Sequence, residues 1–227
     1  MSNSDLLPWR AVAQSAAQDA ARIEDQARWG DARTPFDYRW EHVQAVAQLA
    51  VRLAERTGAD REVCEAAAWL HDVAKAQPTA TDSSQPGQRP DHGRDGAIAA
   101  RRILAETDFP PAKIAAVADA IAKHVGFTHE DPVEPLEAAV LWDADKLSKL
   151  GATVVFHGLG YLLAKGQNTT EALIEQLWDE DWGTDIVDHL NTAPARMAGR
   201  ARLATYRAFC KQATREYAGD DLLDESG

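Results

Sequence analysis

The chain has 227 residues, 45% of them apolar and 26% charged, which suits one well-buried core with helical extensions better than two independent domains and excludes general disorder. Its formal charge of −12 would repel a nucleic-acid backbone, so any anionic ligand should be small and should meet a locally positive pocket. The sequence has no uninterrupted apolar run of about 18 residues, no basic-then-apolar start and no CxxC around Cys64 or Cys210, so a cytoplasmic protein with no membrane span and no disulfide framework is expected.

Apolar residues recur at three- and four-residue spacing with no sustained alternation, so the expected fold is all-α, a single helical bundle. A first, accessory helix is predicted over about residues 6–29, with Ala13, Ala16, Ala20 and Ile23 on one side and Gly30 as its stop. The second runs from Trp40 to Arg56, where His42, Val46, Leu49 and Leu53 share a buried stripe and Gly58 terminates. The third opens at Asp60, a suitable N-cap, carries Val63, Ala67 and Leu70, and reaches His71 and Asp72 near its end. The partial negative charge of a helix C-terminus favours a cation there. Residues 76–91, rich in Pro, Ser, Thr and Gly, form the clearest loop and a candidate mobile rim. Helices follow over 93–107 and, opened by Pro110 and Pro111, up to His124 and Gly126. An amphipathic helix over 135–150 carries Leu136, Val140, Leu147 and Leu150 and sets Asp143 and Asp145 among apolar neighbours. Helices over 152–164 and 169–178 precede a long C-terminal one over 185–217, in which Pro194 predicts a kink. This divides the chain into an N-terminal helical extension over 1–35, one main domain over 36–218 and a frayed acidic tail over 219–227.

In AAAWLHDVAK, His71 and Asp72 sit side by side in an apolar helix, where an unpaired carboxylate would cost roughly several kcal/mol in desolvation. Imidazole nitrogen and carboxylate oxygen are the donors that borderline divalent metals accept, and His42 offers another nitrogen from a neighbouring buried stripe. LWDADKLSKLG supplies a fourth candidate in Asp145, with Leu141 four residues before it and Lys149 four after.

The order H…HD…D, read as YRWEHV, AAWLHDVAK and DADKL over roughly residues 36–165, resembles the HD superfamily of metal-dependent phosphohydrolases. DHGRDGA, IAKHVG and DADKLSKLGA are similar to a small bacterial subgroup that carries a second pair of histidines. The resemblance implies a single HD-type bundle whose metal ligands are His42, His71, Asp72 and Asp145. Asp145 is chosen over Asp143 because the family's ligand directly precedes the basic residue. Asp143, about 200° away around a helix, suits a capping or supporting role. The resemblance further implies one or two divalent cations (Mn, Mg, Co, Ni or Fe), with His92 and His124 either holding the second ion or contacting phosphate and moving a proton. The expected reaction is cleavage of a phosphate ester or anhydride of a small phosphorylated metabolite, a nucleotide first, by metal-activated water, with Asp72, Lys75, His92 and His124 as catalytic candidates. Lys75 shares a helical face with His71 and Asp72 and could meet a substrate phosphate. Lys146, Arg94 and Arg39 are weaker candidates that could equally form surface ion pairs. One departure stands out: close relatives tend to carry an arginine after the LGA segment, and this chain has His157 in GATVVFHGLG.

Plainer readings apply elsewhere. His129 and His189 lie in polar or acidic text and are expected to be solvated, Cys64 is a packing residue, and Trp40 and Trp69 fall at core spacing. Two other functions compete: a di-iron oxygenase on the same scaffold, which needs both His92 and His124 as ligands, and a non-catalytic nucleotide-binding signalling module, which the intact ligand set argues against. No membrane or nucleic-acid polymer is expected as a partner, and a homodimer is left open.

Overall fold

The computed structural model describes residues 6–30, 37–75, 92–177 and 183–223. Among the described residues the fold is all-α, with no strand beyond a single parallel bridge between Leu7 and Thr107. The helices are α1 (Trp9–Trp29), α2 (Tyr38–Thr57), α3 (Arg61–Leu70), α4 (His92–Ala105), α5 (Ile114–Lys123), α6 (Leu136–Leu147), α7 (Ala152–Ala164), α8 (Thr170–Leu177), α9 (Thr184–Asp188) and α10 (Ala193–Ala218).

Local chemistry sets most boundaries. Gly30 and Gly58 end α1 and α2 at φ of 64° and 80°, a region that residues with a Cβ avoid. Asp60 accepts from the backbone N–H groups of Glu62 and Val63 at 3.0 and 3.2 Å, so the predicted cap of α3 is in place. Pro110 precedes a short 3-10 turn, Pro111–Lys113, that leads into α5.

Several expectations are corrected. The buried stripe of α1 is Trp9, Ala13, Ala17, Ala21 and Glu24, and Ile23 is exposed. The face is rotated because Trp9 docks edge-on against Phe109, with ring centroids 5.2 Å apart. Pro194 does not kink a long helix. It lies in the first turn of α10, where its missing N–H breaks no bond, and the chain before it forms the separate short α9. The helix expected to be amphipathic, α6, is buried on every side from Ala138 to Leu147, whereas Leu136 is exposed. Trp40 and Trp69 form a half-buried pair at 5.8 Å, with Trp69 packed against the core, and the tryptophans buried within it among the described residues are Trp9 and Trp142. The loop and rim expected over 76–91 lie outside the described residues.

The bundle is built around α6. Helices α2, α3 and α5 pack against it, α4 lies on α5, α1 crosses α2 and α3, and α10 runs along the other side with α7 and α8. Leu70, Leu104, Phe109, Ile121, Leu141 and Trp142 fill the core, each contributing about 1.5–3 kcal/mol by burial. Glycines let α4 come close. A Cβ on Gly93 would lie 2.7 Å from the Val125 side chain, and one on Gly96 would lie 3.1 Å from the His71 carbonyl oxygen. That approach brings His92, the first residue of α4, toward His71 and His124.

Asp143 ties α6 to the start of α10. Completely buried, it accepts from the backbone and side-chain nitrogens of Asn191 at 2.7 and 3.1 Å, and from the Thr192 backbone and hydroxyl at 2.8 and 2.7 Å. Thr192 is itself the N-cap of α10. Asp143→Ala would leave several of these donors buried and unpaired, so it should cost about 2–4 kcal/mol. Urea unfolding measures this directly, and a loss below about 0.5 kcal/mol would contradict the assigned role.

Candidate metal centre

Five helices deliver side chains to one buried point. His42 comes from the first turns of α2, His71 and Asp72 follow the last residue of α3, His92 opens α4, His124 caps α5, and Asp145 projects from α6. All six are buried. His42 Nε2 lies 3.2 Å from Asp145 Oδ1 and 3.9 Å from Asp72 Oδ2. His71 Nε2 lies 3.4 Å from Asp72 Oδ2 and 4.0 Å from Asp145 Oδ1. The other oxygen of Asp72 faces the second histidine pair, with Oδ1 3.7 Å from His92 Nε2 and 3.6 Å from His124 Nε2.

Hydrogen bonding at the far side of each ring decides which nitrogen faces the centre. His71 Nδ1 lies 2.8 Å from the Ala68 carbonyl and His124 Nδ1 lies 2.6 Å from the Ile121 carbonyl. A carbonyl can only accept, so each Nδ1 carries a proton and Nε2 is the nitrogen turned to the centre. Ser148 Oγ donates to the Asp145 carbonyl at 2.6 Å and therefore accepts from His42 Nδ1 at 3.1 Å, which leaves His42 Nε2 turned to the centre as well. Ring orientation by an outer partner of this kind is what histidine ligands of metals require. Two donor sets, His42–His71–Asp145 and His71–Asp72–His124, each span no more than 4.8 Å. His71 Nε2 and Asp72 Oδ1 are buried without a hydrogen-bond partner, each at a cost of about 1–3 kcal/mol that a bound cation would remove. The residues present therefore fit a divalent metal.

The carboxylates are kept ionised by cations. Burial would raise the Asp72 carboxyl, but Lys75 and Arg39 hold it well below the usual range. Lys75 Nζ and Arg39 Nη1 donate to Asp72 Oδ2 at 3.1 and 2.6 Å. Burial acts likewise on Asp145, which Lys146 and Lys149 keep well below the usual range, both ammonium groups touching its oxygens. His42 is depressed well below an ordinary histidine by burial and by Lys149, and burial takes His124 down to about 4. The same burial lowers Lys149 to about 8. At neutral pH the site thus holds two carboxylates, neutral His42 and His124, and a ring of bases, which makes a positive pocket in an acidic protein.

The residues expected to act together do meet: His42, His71, Asp72, Asp145, His92, His124 and Lys75. Others do not join them. Arg94 is exposed, and His157 reaches His42 only through Tyr38, which it meets edge-on at 5.8 Å. His129 is not solvated but packs on Trp142 at 4.9 Å and bonds the His189 carbonyl. Burial pushes the Cys64 thiol up to about 12, consistent with a packing role. Sequence reasoning missed Glu24 and Ser148, and treated Lys149 only as a helical neighbour. Its i+4 spacing from Asp145 was the available signal. A cavity of about 850 Å³ beside α2, lined by residues that include Glu41, Gln48, Arg52, Trp69 and Arg202, touches the centre only through Ser148. None of the six clustered histidines and aspartates lines it, so the chemistry belongs to the histidine cluster.

Residues 39–150 match the HD domain family. The chain carries an HD domain. HD domains bind divalent metals, and the clusters described above could hold one. Solved structures share the fold at low identity. Bacillus subtilis YpgQ in complex with ADP is 20% identical, with a TM-score of 0.57 over 87% of this chain and 97% of that one. A predicted HD superfamily hydrolase from an uncultured Thermotogales bacterium is 22% identical, with a TM-score of 0.56 over 88% of this chain and 92% of its own. An HD-superfamily hydrolase from Bacillus thuringiensis is 22% identical, with a TM-score of 0.53 over 91% and 98%.

The buried neutral histidines make stability depend on pH in one direction. A histidine whose folded value is depressed takes up its proton in the unfolded chain first, so stability is lost as pH falls through the window between the two values. For His124 that window runs from 6.5 down to about 4, a loss of about 3 kcal/mol. Asp72 and Asp145, depressed in the folded state, withdraw their contribution only as pH falls below about 3.9. Urea unfolding of metal-free protein should show the first loss, and His124→Gln should lessen it, leaving the part that His42 contributes. An unchanged unfolding free energy from pH 6.5 to 4 would rule out a buried neutral His124.

Proposed function

We propose that this protein is a metal-dependent phosphohydrolase that cleaves a phosphate ester or anhydride of a small phosphorylated metabolite, with nucleotides the first class to test. The observation that carries this reading is the convergence of three histidine Nε2 atoms and two ionised carboxylates on one buried point, where His71 Nε2 and Asp72 Oδ1 have no hydrogen-bond partner among the described residues. A nucleotide is supported by the ADP bound to YpgQ, a protein of similar fold. We assign His42, His71, Asp72 and Asp145 to one divalent cation, drawn from Mn, Mg, Co, Ni or Fe. His92 and His124, facing the other oxygen of Asp72, are assigned to a second.

A divalent cation held there supplies an acidified water and neutralises charge on phosphoryl oxygens. The chain's own groups orient and balance. Arg39 and Lys75 keep Asp72 ionised, and Lys75, at the rim with a partly exposed ammonium, is the group that meets a phosphoryl oxygen of the substrate. Buried His42 and His124 stay neutral and serve as ligands rather than acids. If only one cation binds, His92, the most exposed of the six at 8%, is instead the residue that passes a proton to the leaving oxygen as the phosphorus–oxygen bond breaks. The set His71–Asp72–His124 also favours a second reading, a di-iron oxygenase, which iron content and oxygen dependence would reveal.

The test is phosphate and pyrophosphate release from nucleoside mono-, di- and triphosphates with added manganese, magnesium or cobalt. Wild-type turnover is expected, His71→Ala and Asp72→Asn should fall to background, and His129→Ala should keep kcat/KM within about threefold while losing about 1 kcal/mol of stability. Turnover retained by folded Asp72→Asn would refute the site. No release with any metal would move the reading to the oxygenase.

A further inference from the structure

The N-terminal helix reaches the metal centre through one buried carboxylate. Glu24 ends the alanine stripe of α1 and is only 3% exposed. Its Oε1 accepts from Arg39 Nη2 at 2.7 Å and from Arg28 Nη2 at 2.9 Å. Arg39 in turn gives Nη1 to Asp72 Oδ2 at 2.6 Å. The planar guanidinium thus spans two carboxylates from two other helices, a task that a lysine ammonium cannot perform with the same geometry. Burial would lower the Arg39 pKa, but Asp72 and Glu24 together raise it above an ordinary arginine. The HD match begins at residue 39, so Glu24 lies outside the matched domain.

We infer that Glu24 is a positioning residue for the metal centre, fixing the Arg39 guanidinium so that Arg39 grips Asp72 by Oδ2 and leaves Oδ1 turned to His92 and His124. The inference rests on the metal-dependent reading of the site. Two physical effects follow from removing the Glu24 charge. Arg39 would keep a positive charge compensated by Asp72 alone, in a desolvated place beside the cation's donors, which weakens the hold on a cation. Its fork would also be free to rotate and take both oxygens of Asp72, capturing a metal ligand. Glu24 could instead simply fasten α1 to the bundle. α1 has a second ion pair suited to separating these roles: Arg10 donates Nε and Nη2 to Glu65 of α3, each at 3.0 Å, with no contact to Arg39.

The experiment measures cobalt(II) affinity by chelator competition on the full-length protein, for wild type, Glu24→Gln, Glu24→Asp, Arg39→Lys and Arg10→Gln. Circular dichroism verifies folding, and kcat and KM are taken on the best nucleotide. Glu24→Gln should weaken cobalt binding about 10–100-fold and lower kcat more than it raises KM. Glu24→Asp, which keeps the charge, should recover most of the affinity. Arg10→Gln should bind cobalt as wild type does. Arg39→Lys should lose affinity as Glu24→Gln does, and a variant combining Glu24→Gln with Arg39→Lys, measured alongside them, should lose little more, because both break one chain of contacts. Should Glu24→Gln fail to fold, Arg39→Lys carries the test, and wild-type affinity in either folded variant overturns the inference. Equal losses in Arg10→Gln and Glu24→Gln also overturn it, by reducing Glu24 to a fastener. Wild type that binds no cobalt would overturn the metal reading itself, an outcome distinct from normal wild-type binding with an indifferent Glu24.

Discussion

Two ionised carboxylates in the middle of a helical bundle are the constraint on which this structure depends. Isolated, Asp72 and Asp145 would be costly to bury. Each is held instead by cationic side chains, Arg39 and Lys75 for the first and Lys146 and Lys149 for the second. Those partners come from α2, from the segment just after α3, and from α6 with the residues that follow it, so the charges balance only when these elements stand in their native places. The apolar text around them is correspondingly small. Ala66, Ala67 and Ala68 of α3 and Ala138, Ala139 and Ala144 of α6 are all buried, and such side chains allow helices to approach closely.

One local device prepares two of the ligands. His71 and His124 both follow the last residue of a helix, and both turn Nδ1 back to the carbonyl three residues earlier. The bond adds a side-chain donor to a carbonyl in the last turn of the helix, orients the ring and turns Nε2 to the centre. The partial negative charge of those ends also favours a cation. His42 lies in the first turns of its helix, away from the C-terminal carbonyls, and Ser148 takes that part. The centre therefore combines backbone geometry at helix ends with one hydroxyl bridge from the residue that caps α6.

The domain match ends at residue 150, but the similarity of fold does not, since the solved relatives align over 87–91% of this chain. The flanking helices are integrated by buried polar contacts rather than by apolar packing alone. α1 is joined through Glu24 and Arg39, and α10 through Asp143 with Asn191 and Thr192. A hydrogen bond made away from water demands its geometry more strictly than an apolar contact does. The flanking elements are thereby held in register with the centre.

The sequence by itself determined the helical class and the caps at Gly30, Gly58 and Asp60, which are legible because periodicity and capping are properties of neighbouring residues. The grouping of His42, His71, Asp72 and Asp145, with His92 and His124 close by, was implied by resemblance to a known family. Only the tertiary structure decided which face of α1 turns inward, that α6 is enclosed on all sides, and that Pro194 opens a helix instead of bending one. It alone revealed Glu24, which in sequence resembles any acid on a solvated face, and Ser148, whose partner His42 lies 106 positions away. Such contacts leave no spacing signal. Their energy arises from desolvation when distant segments close over them, and that depends on the packed bundle.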